Sequence, residues 1–436
     1  MKKLHRIVVV GGGAGGLELA TALGHRLGRH GMAKIVLVDC NLTHIWKPLL
    51  HEVAAGTINS FQDELNYFAH GAKHHFEFQL GRMDGIDRGR KTLHLAPLLG
   101  DNGEVIAEGR EVAYDTLVIA VGSTSNDFGT PGAHEHCIFL DTRAQADRFH
   151  KKFLQMYLQA HAQPAGNGLT PELNIAIVGG GATGVELAAE LYHASHELVE
   201  YGLDEITPQH VNITLIEAAP RILGALPERA AQQAHDELVK LGVKVLTGQK
   251  VTDVTAEGLN TASGLFIPAS LRVWAAGIKA QDFLREFGGL ETNRINQLVV
   301  MPTLQTTRDP DIFAFGDCAS CTLPGAERPL PPRAQTANQQ ATFLVKALVA
   351  RLEKDPLPEF RYRDYGSLIS LSGADTVGSL MGNLMKTVNI RGWVARMLYR
   401  SLYRMHQASL HGVFRMMVLF AKDLLSRTSG PTLKLH

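Results

Sequence analysis

Two stretches of the chain share one pattern: an apolar run, then glycines, then apolar positions at helical spacing. They are Ile7–Leu23 and Ile175–Leu191, which start 168 residues apart, and eleven of their seventeen positions are identical. An apolar run that ends in glycine predicts a buried strand and a tight turn, and the spacing that follows predicts a helix. Both stretches keep Gly-x-Gly-x-x-Gly. This order suits a dinucleotide, because the glycines allow a tight turn, close approach of a pyrophosphate and close helix–strand packing.

A second apolar strand follows each copy and ends in a carboxylate. The first is Ile35–Asp39 and the second is Val211–Glu217. A carboxylate at this point accepts hydrogen bonds from a ribose 2′-OH and repels a 2′-phosphate, so Glu217 favours NADH over NADPH. Arg221 weakens that preference, because an arginine could pair with a 2′-phosphate. The alternative is that Glu217 is only a solvated strand end.

Both copies also end in an apolar strand that runs into glycine, at Tyr114–Gly122 and Leu271–Gly277. A third strand, within Thr303–Asp317, ends in Gly316 and an acid that can bond a polyol such as a ribityl chain. The pattern predicts an α/β fold with two Rossmann-like dinucleotide-binding domains, the second inserted in the first. Residues 41–61 are predicted to be irregular, and residues 76–112 to alternate between strands and turns. The predicted domains are 1–125 with 295–389, 126–294, and a C-terminal region 390–436.

Length and composition fit this organisation. The chain has 436 residues, 45% of them hydrophobic, and four cysteines. So few cysteines suggest no disulfide framework and favour a reducing compartment. A strand that starts at Ile7 leaves no room for a signal segment. Cys318 and Cys321 could form a redox dithiol or bind a soft metal, but no further ligand is close in sequence, so two inert thiols are favoured.

The charge is unevenly distributed. Net charge is zero, yet residues 390–436 contain eight Lys or Arg and one acid. Arg396, Arg400 and Arg404 line one helical face, with apolar residues on another. No uncharged apolar run approaches the roughly 20 residues of a spanning helix. The pattern predicts an amphipathic helix, or two, in the interface of an anionic bilayer. The alternative is a helix docked on its own domain or on a second subunit.

Together these motifs carry a resemblance. The two glycine fingerprints and the three glycine-ended strands resemble the two-dinucleotide flavoprotein reductases. The segments Lys47–Val53, Leu304–Thr306 and Pro332–Gln335, with Gln339 and the basic tail, are similar to the type II NADH:quinone oxidoreductases, most closely the proteobacterial ones. Arg333 departs from the pattern, since the family often has a small residue there.

The resemblance implies where the cofactors bind. It places FAD on Gly11, Gly13, Ala14, Gly16, Asp39, Gly122 and Asp317. It places NADH on Gly179, Gly181, Gly184, Glu217, Ala276 and Gly277, and makes Lys47 a further cofactor-binding residue. It puts Glu186 near the nicotinamide and the flavin, and Gln335 and Gln339 at a quinone pocket within 331–345. Glu186 has an equivalent in the first copy, Glu18, so a shared helix-packing role is the alternative.

The implied activity is FAD-dependent transfer of two electrons from NADH to membrane quinone without proton pumping. The expected partners are NADH, quinone and an anionic bilayer, with no nucleic acid and no resident metal, and a homodimer stays open. The expected location is the cytoplasmic face of a bacterial inner membrane, as a peripheral protein. Two alternatives stand beside it: a sulfide:quinone oxidoreductase, which needs paired reactive cysteines, and a redox-sensing flavoprotein scaffold.

Overall fold

The computed structural model of the chain describes residues 4–57, 64–100, 102–162, 172–371, 376–381, 387–391, 404–426 and 433. The chain divides into two compact units. Unit 1 consists of residues 1–46, 63–124 and 278–363, and unit 2 of residues 47–62, 125–277 and 364–436. The main segment of unit 2 therefore interrupts unit 1 in sequence, as the predicted inserted domain does. The predicted assignment of segments to nucleotide domains remains a prediction.

Unit 1 is built on an eight-stranded sheet. Most neighbouring strands are parallel, and the short strand Gln305–Thr306 pairs antiparallel on both sides. The strand His5–Val10 is apolar over most of its length because it lies in the middle of the sheet, where both faces are covered. Across the sheet the order is Ala319–Cys321, Leu298–Val300, Gln305–Thr306, Asp309–Ala314, Thr116–Ile119, His5–Val10, Ala33–Asp39 and Glu77–Leu80.

The helices of unit 1 include the one that follows the first glycine fingerprint. They are Ala14–Leu23 with a π-helical turn at Gly24–Gly28, Tyr67–His74, 3₁₀ turns at Asp282–Gly289 and Gly316–Cys318, and Ala334–Glu353. Shorter strands complete the unit: Thr43–His44 with Leu65–Asn66, Leu98–Leu99 with Val105–Ala107, the antiparallel sheet of Met83–Asp87, Thr92–Leu95 and Arg110–Ala113, and Ile278–Ala280. A further short strand is Ser123–Ser125. The antiparallel sheet confirms the predicted alternation within residues 76–112.

Unit 2 repeats the plan with fewer strands. Its parallel sheet has the order Ile138–Phe139, Leu271–Trp274, Leu173–Val178, Val211–Ile216 and Lys244–Leu246. In both units the fingerprint strand lies between the strand that ends in a carboxylate and the later strand that runs into glycine. Unit 2 also has its own antiparallel sheet, Val251–Val254, Gly258–Thr261 and Phe266–Pro268. The duplication therefore extends from the fingerprint to the topology of each unit.

The helices of unit 2 include two in the C-terminal region. The helical segments are Lys47–Leu49 (3₁₀), Leu50–Ala55, Ala133–His136, Arg143–His161, Ala182–Glu200, Pro208–His210 (3₁₀), Glu228–Lys240, 404–411 and Val413–Ser426. The strands Gly366–Ser370, Thr376–Met381 and Thr387–Arg391 form an antiparallel sheet. None of the helices among the described residues has the length and apolar character that crossing a membrane requires. Arg396 and Arg400 of the predicted amphipathic face lie outside the described residues.

One local prediction is wrong. The segment 41–61 was expected to be irregular, yet it contains the buried helix Leu50–Ala55, which ends at Gly56 in the left-handed conformation (φ +85°). Leu50, Val53 and Ala54 have the i, i+3, i+4 spacing of one buried helical face. Six residues are too few for that spacing to stand out from a short apolar run.

Candidate functional site

The first fingerprint forms a turn whose glycines have different surroundings. Gly11 has φ +103°, and a Cβ there would lie 2.3 Å from the carbonyl oxygen of Ala120. A Cβ on Gly16 would lie 1.8 Å from the carbonyl oxygen of Gly11, whereas a Cβ on Gly13 would meet nothing within 4 Å. The first and third glycines are therefore required by the protein itself. The second faces open space at the start of the helix Ala14–Leu23, whose first turn has no acidic residue, so its N–H groups can receive an anion such as a pyrophosphate.

The second fingerprint has the same geometry in unit 2. Gly179 has φ +112°, and a Cβ there would lie 2.7 Å from the backbone of Ala275. A Cβ on Gly184 would lie 2.0 Å from the carbonyl oxygen of Gly179, and Gly181 again faces open space. The helix Ala182–Glu200 also has no acidic residue in its first turn. Each unit thus has a turn that fits a dinucleotide pyrophosphate.

The two strand-end carboxylates make equivalent hydrogen bonds. Asp39 Oδ2 accepts from the backbone N–H of Gly12 at 2.6 Å, and Glu217 Oε2 accepts from that of Gly180 at 2.7 Å. Glu217 Oε1 also accepts from the N–H of Ala219 at 2.7 Å. Glu217 is therefore more than a solvated strand end, because it fixes the glycine loop of its own unit.

Arg221 is occupied within its own loop. Its guanidinium donates to the carbonyl oxygens of Leu226 and Gly224, both at 3.0 Å. A 2′-phosphate would have to compete with these bonds. Arg221, which in the sequence weakens the prediction of NADH over NADPH, therefore stabilises its own loop in the structure.

Asp317 lies at the end of the strand Asp309–Ala314, as the sequence predicts, and is held by polar neighbours. Ser123 Oγ donates to its Oδ2 at 2.8 Å, and Gln297 donates to its backbone oxygen at 2.9 Å. Gln340 accepts from the N–H of Gly316 at 2.8 Å. Ser123, Gln297 and Gln340 were not predicted to contact this turn. No motif marks them, and each lies 20 or more residues from its partner along the chain.

The Gly122 and Gly277 turns both require glycine for their backbone, with φ +68° and +62°. In unit 2, the N–H of Asn126 donates to the carbonyl oxygen of Gly277, and Trp274 Nε1 donates to that of Asn126 at 2.9 Å. A Cβ on Gly277 would lie 2.4 Å from the Phe128 ring. The turn that contains Ala276 is therefore fixed by a buried tryptophan.

Two buried aromatic residues hold the first glycine loop through the carbonyl oxygen of Gly12. Tyr67 donates its hydroxyl to the carbonyl oxygen of Gly12 at 2.6 Å, and His44 Nδ1 lies 2.9 Å from the same oxygen. Burial raises the pKa of Tyr67 well above its ordinary value, so the phenol stays protonated and keeps donating. No motif marks either residue in the sequence.

Glu186 and its repeat counterpart Glu18 have different partners. In unit 2, Glu186 Oε2 lies 3.6 Å from His51 Nδ1, and both side chains are buried. Burial lowers the pKa of His51 to about 4, so its imidazole is neutral at physiological pH. In unit 1, Glu18 instead accepts a hydrogen bond from Asn338 at 2.6 Å. The two residues therefore have different contacts here, and the shared helix-packing role stays the alternative for Glu186.

Gln335 and Gln339 both lie on the helix Ala334–Glu353, one turn apart, which confirms the helix predicted from their spacing. Gln339 donates to the carbonyl oxygen of Arg363 at 2.8 Å and accepts from its N–H at 3.0 Å. A glutamine amide has a second N–H and a second lone pair, so Gln339 can bind a further group without losing these bonds.

Lys47 lies in unit 2, where it pairs with a carboxylate. Its Nζ is 3.4 Å from Asp141 Oδ1, and Asp141 also accepts from the N–H and the hydroxyl of Ser125. The lysine is half exposed. This ion pair orients Lys47 and was not foreseen from the sequence.

The two cysteines that suggested redox or metal chemistry are buried and bonded to backbone. Cys318 Sγ donates to the carbonyl oxygen of Phe315 at 3.2 Å, and Cys321 Sγ lies 3.8 Å from that of Met301. Burial raises the pKa of Cys318 to about 12 and that of Cys321 to about 11. Among the described residues there is no group of three or more His, Cys, Asp or Glu that could hold a metal ion. The geometry supports two inert thiols.

Thiol labelling tests this directly. At pH 8 we expect Ellman's reagent to titrate one thiol per native chain, Cys40, which is exposed, while the three buried cysteines react only after denaturation. A burst of three thiols in the native protein would contradict the burial of the Cys318–Cys321 pair.

Comparison with known proteins defines the class. The model of the pyridine nucleotide-disulphide oxidoreductases matches residues 5–341 of the chain. Among solved structures, NDH2 from Plasmodium falciparum in complex with NADH matches with a TM-score of 0.83, at 18% identity, over 99% of this chain and all of that one. The sulfide:quinone oxidoreductase of Aquifex aeolicus matches with a TM-score of 0.70 at 18% identity, over 94% and 92% of the two chains. At these identities the likeness concerns the fold.

Sequence relatives define the family within that class. A type II NADH:quinone oxidoreductase of Haemophilus influenzae is 46% identical over 99% of this chain and 100% of its own length. One from Staphylococcus aureus is 29% identical over 86% of this chain and 90% of its own. The chain therefore belongs to the type II NADH:quinone oxidoreductase family, and the resemblance found in its motifs is confirmed.

Proposed function

We propose that this protein is an FAD-dependent enzyme that transfers two electrons from NADH to a membrane quinone without pumping protons. The observation that carries the proposal is the pair of glycine turns, each with an open second glycine and a strand-end carboxylate, in a chain of this family. A flavin accepts a hydride and can then pass its electrons on in two-electron or one-electron steps. The protein supplies binding, orientation and electrostatics.

The two turns have different tasks in this proposal. Unit 1 binds FAD through its fingerprint, Asp39, Gly122 and Asp317. Unit 2 binds NADH through its fingerprint, Glu217 and the Ala276–Gly277 turn. Asp317 supports the assignment of FAD to unit 1. Ser123 orients its carboxylate and Gln297 holds its backbone oxygen, as binding a polyol requires. The segments 1–125 with 295–389 and 126–294 are the corresponding proposed domains.

Three side chains are proposed to act on the substrates. Glu186 positions the nicotinamide or handles a proton, supported by its burial beside the neutral His51. Gln335 and Gln339 donate to quinone carbonyls, supported by their common helical face. Amides suit this task because they hydrogen bond without adding charge. Lys47 is proposed as a further cofactor-binding residue, oriented by Asp141.

The activity is tested on the full chain purified in detergent. We expect a flavin spectrum that NADH bleaches under anaerobic conditions and that a short-chain quinone restores. NADPH should bleach it far more slowly, because Glu217 repels a 2′-phosphate. Bleaching that no quinone reverses would contradict the proposed acceptor.

A sulfide:quinone reaction is disfavoured, because Cys318 and Cys321 are buried thiols with raised pKa values.

The C-terminal helices are proposed to lie on a membrane surface. The side chains of Met405, Val413, Phe414, Met417, Val418 and Phe420 are exposed, Phe414 by 79%. Large apolar side chains at helical spacing that face solvent mark a membrane or protein contact, and the excess of Lys and Arg in 390–436 favours an anionic leaflet. We propose a peripheral position on the cytoplasmic face of the bacterial inner membrane. A second copy of the chain is the alternative occupant of this face.

A charge reversal on this face tests the membrane contact. We expect Phe414→Glu with Met417→Glu to move the protein from the membrane pellet to the supernatant, because two carboxylates oppose both the apolar and the anionic parts of the interface. Flotation with vesicles containing an anionic lipid measures it. Phe68→Glu, a change at another exposed phenylalanine, is the matched control. Retained flotation with a changed sedimentation mass would favour a dimer contact instead.

A further inference from the structure

The first half of the helix Ala334–Glu353 carries Gln335 and Gln339 and is hydrogen bonded to the residues around it. Four hydrogen-bond connections, all within unit 1, fix it: Thr336 to the carbonyl oxygen of Pro331, Asn338 to Glu18, Gln339 to the backbone of Arg363, and Gln340 to the N–H of Gly316. Three of these involve only hydroxyl, amide and backbone groups, which do not titrate near neutral pH. The connection to Glu18 is the one of the four that a proton can change.

Glu18 lies on the fingerprint helix Ala14–Leu23, where that helix packs closely on Ala334–Glu353. One turn earlier, a Cβ on Gly15 would lie 2.5 Å from the Phe315 ring and 3.3 Å from the Cβ of Ala337. The Glu18 side chain is buried in this contact, and its Oε2 accepts from Asn338 Nδ2 at 2.6 Å. The carboxylate therefore links the turn proposed for the flavin to the helix proposed for the quinone.

The surroundings of Glu18 allow it to change charge near neutral pH. Burial raises its pKa to about 7, and the hydrogen bond from Asn338 partly offsets that effect. Glu18 is the one charged residue in Ala14–Leu23, and residues 334–345 contain none. The nearest charged or titratable residues along the two helices are His25, Arg333 and Lys346. From the neighbouring helix Tyr67–His74, the titratable His70 hydrogen bonds Thr21 of the Glu18 helix at 2.9 Å. A hydrogen bond to an ionised group is roughly twice as strong as a neutral one, so deprotonation strengthens the connection.

We propose that Glu18 is a positioning residue for the acceptor reaction: when ionised, it holds Asn338, and through it the start of the helix, in the position in which Gln335 and Gln339 receive the quinone. When protonated, it holds the helix more weakly and the quinone binds less well. The inference rests on the proposed function, since it takes Gln335 and Gln339 as quinone ligands. It concerns Glu18 and Asn338, for which the family resemblance implied no role in the acceptor reaction.

Steady-state kinetics of the flavin-loaded enzyme test the inference. With a short-chain quinone and saturating NADH, we expect the KM for quinone to rise about fivefold as the pH falls from 8.5 to 5.5, the difference between a charged and a neutral hydrogen bond. The midpoint should lie near pH 7. Glu18→Gln mimics the protonated acid, so its KM should stay at the high value throughout. Glu353→Gln, an exposed glutamate at the far end of the same helix, should keep the wild-type profile.

A second measurement follows the carboxyl group itself. The infrared band of a protonated carboxylic acid should disappear near pH 7 in the wild type and be absent from Glu18→Gln. It should disappear at higher pH in Asn338→Leu, because the amide that favours the ionised form is gone. A Glu18→Gln enzyme with the wild-type profile of KM against pH would overturn the inference. So would a Glu18→Gln enzyme in which the rate of flavin reduction by NADH changes by the same factor as the KM for quinone. A wild-type flavin that quinone fails to reoxidise would overturn the proposed function instead.

Discussion

The Gly16→Ala protein will be purified without flavin, whereas Gly184→Ala will retain flavin and lose its reduction by NADH. The two glycines are equivalent in the repeat, and in each a Cβ would lie about 2 Å from a carbonyl oxygen of the same turn, 1.8 Å for Gly16 and 2.0 Å for Gly184. The loop must therefore move, at a cost on the order of 1–3 kcal/mol or more, and the N–H groups lose their alignment with the pyrophosphate. Absorbance at flavin wavelengths and anaerobic reduction by NADH distinguish the two results.

Controls separate cofactor loss from general damage. Gly85→Ala in unit 1 and Gly224→Ala in unit 2 place a Cβ in ordinary contact or in open space, and both should keep flavin and activity. Gly13→Ala meets no protein atom within 4 Å, so it should fold normally yet bind flavin more weakly, because the methyl group occupies the pyrophosphate approach. Dithionite should still bleach the flavin of Gly184→Ala. Loss of flavin from that variant, with flavin kept by Gly16→Ala, would reverse the proposed assignment.

Glu186→Gln is expected to slow the reduction of flavin by NADH about 100-fold, the lower end of what a positioned acid or base contributes. The substitution keeps the size of the side chain and replaces the ionisable carboxyl group beside the neutral His51 with an amide. Stopped-flow mixing with NADH under anaerobic conditions measures the step apart from quinone. Because burial keeps His51 neutral above about pH 5, the wild-type rate should show no His51 titration between pH 6 and 8.

Glu190 provides the matched control. It lies one turn further along the same helix, is equally buried, and accepts from Thr57 at 3.3 Å. Glu190→Gln should reduce flavin at nearly the wild-type rate. Equal slowing in both variants would mean that Glu186 serves helix packing, the alternative that the sequence left open.

The fold was predictable because its signals are local. The run Ile7–Val10 is buried and apolar, Gly11 needs a positive φ, and Gly16 has no room for a side chain, so the same three constraints reappear in the second copy. Leu50–Ala55 was missed because a helix of six residues is too short for its i, i+3, i+4 spacing to stand out from a short apolar run.

The site was predictable only where a motif marks it. Asp39 and Glu217 follow from their place at the ends of strands, and each bonds its own glycine loop. Tyr67 holds the first glycine loop and Gln340 holds the Gly316 turn, but their partners lie 55 and 24 residues away along the chain. Nothing in a local pattern specifies such a contact, because it depends on how distant segments pack. The bonds between Gln339 and Arg363 are of the same kind.

The hydrogen bonds of Glu217 bear on attempts to change the coenzyme. Engineering a reductase to accept NADPH commonly begins by removing the acid that faces the ribose. Glu217, the acid proposed for that place here, also holds Gly180 and Ala219 through their N–H groups, both at 2.7 Å. A substitution that accommodates a 2′-phosphate would leave the N–H groups of Gly180 and Ala219 without this acceptor. If Glu217 selects the coenzyme as proposed, redesign has to replace a structural acceptor together with the selectivity residue. A single exchange at this position is expected to weaken the binding of both coenzymes.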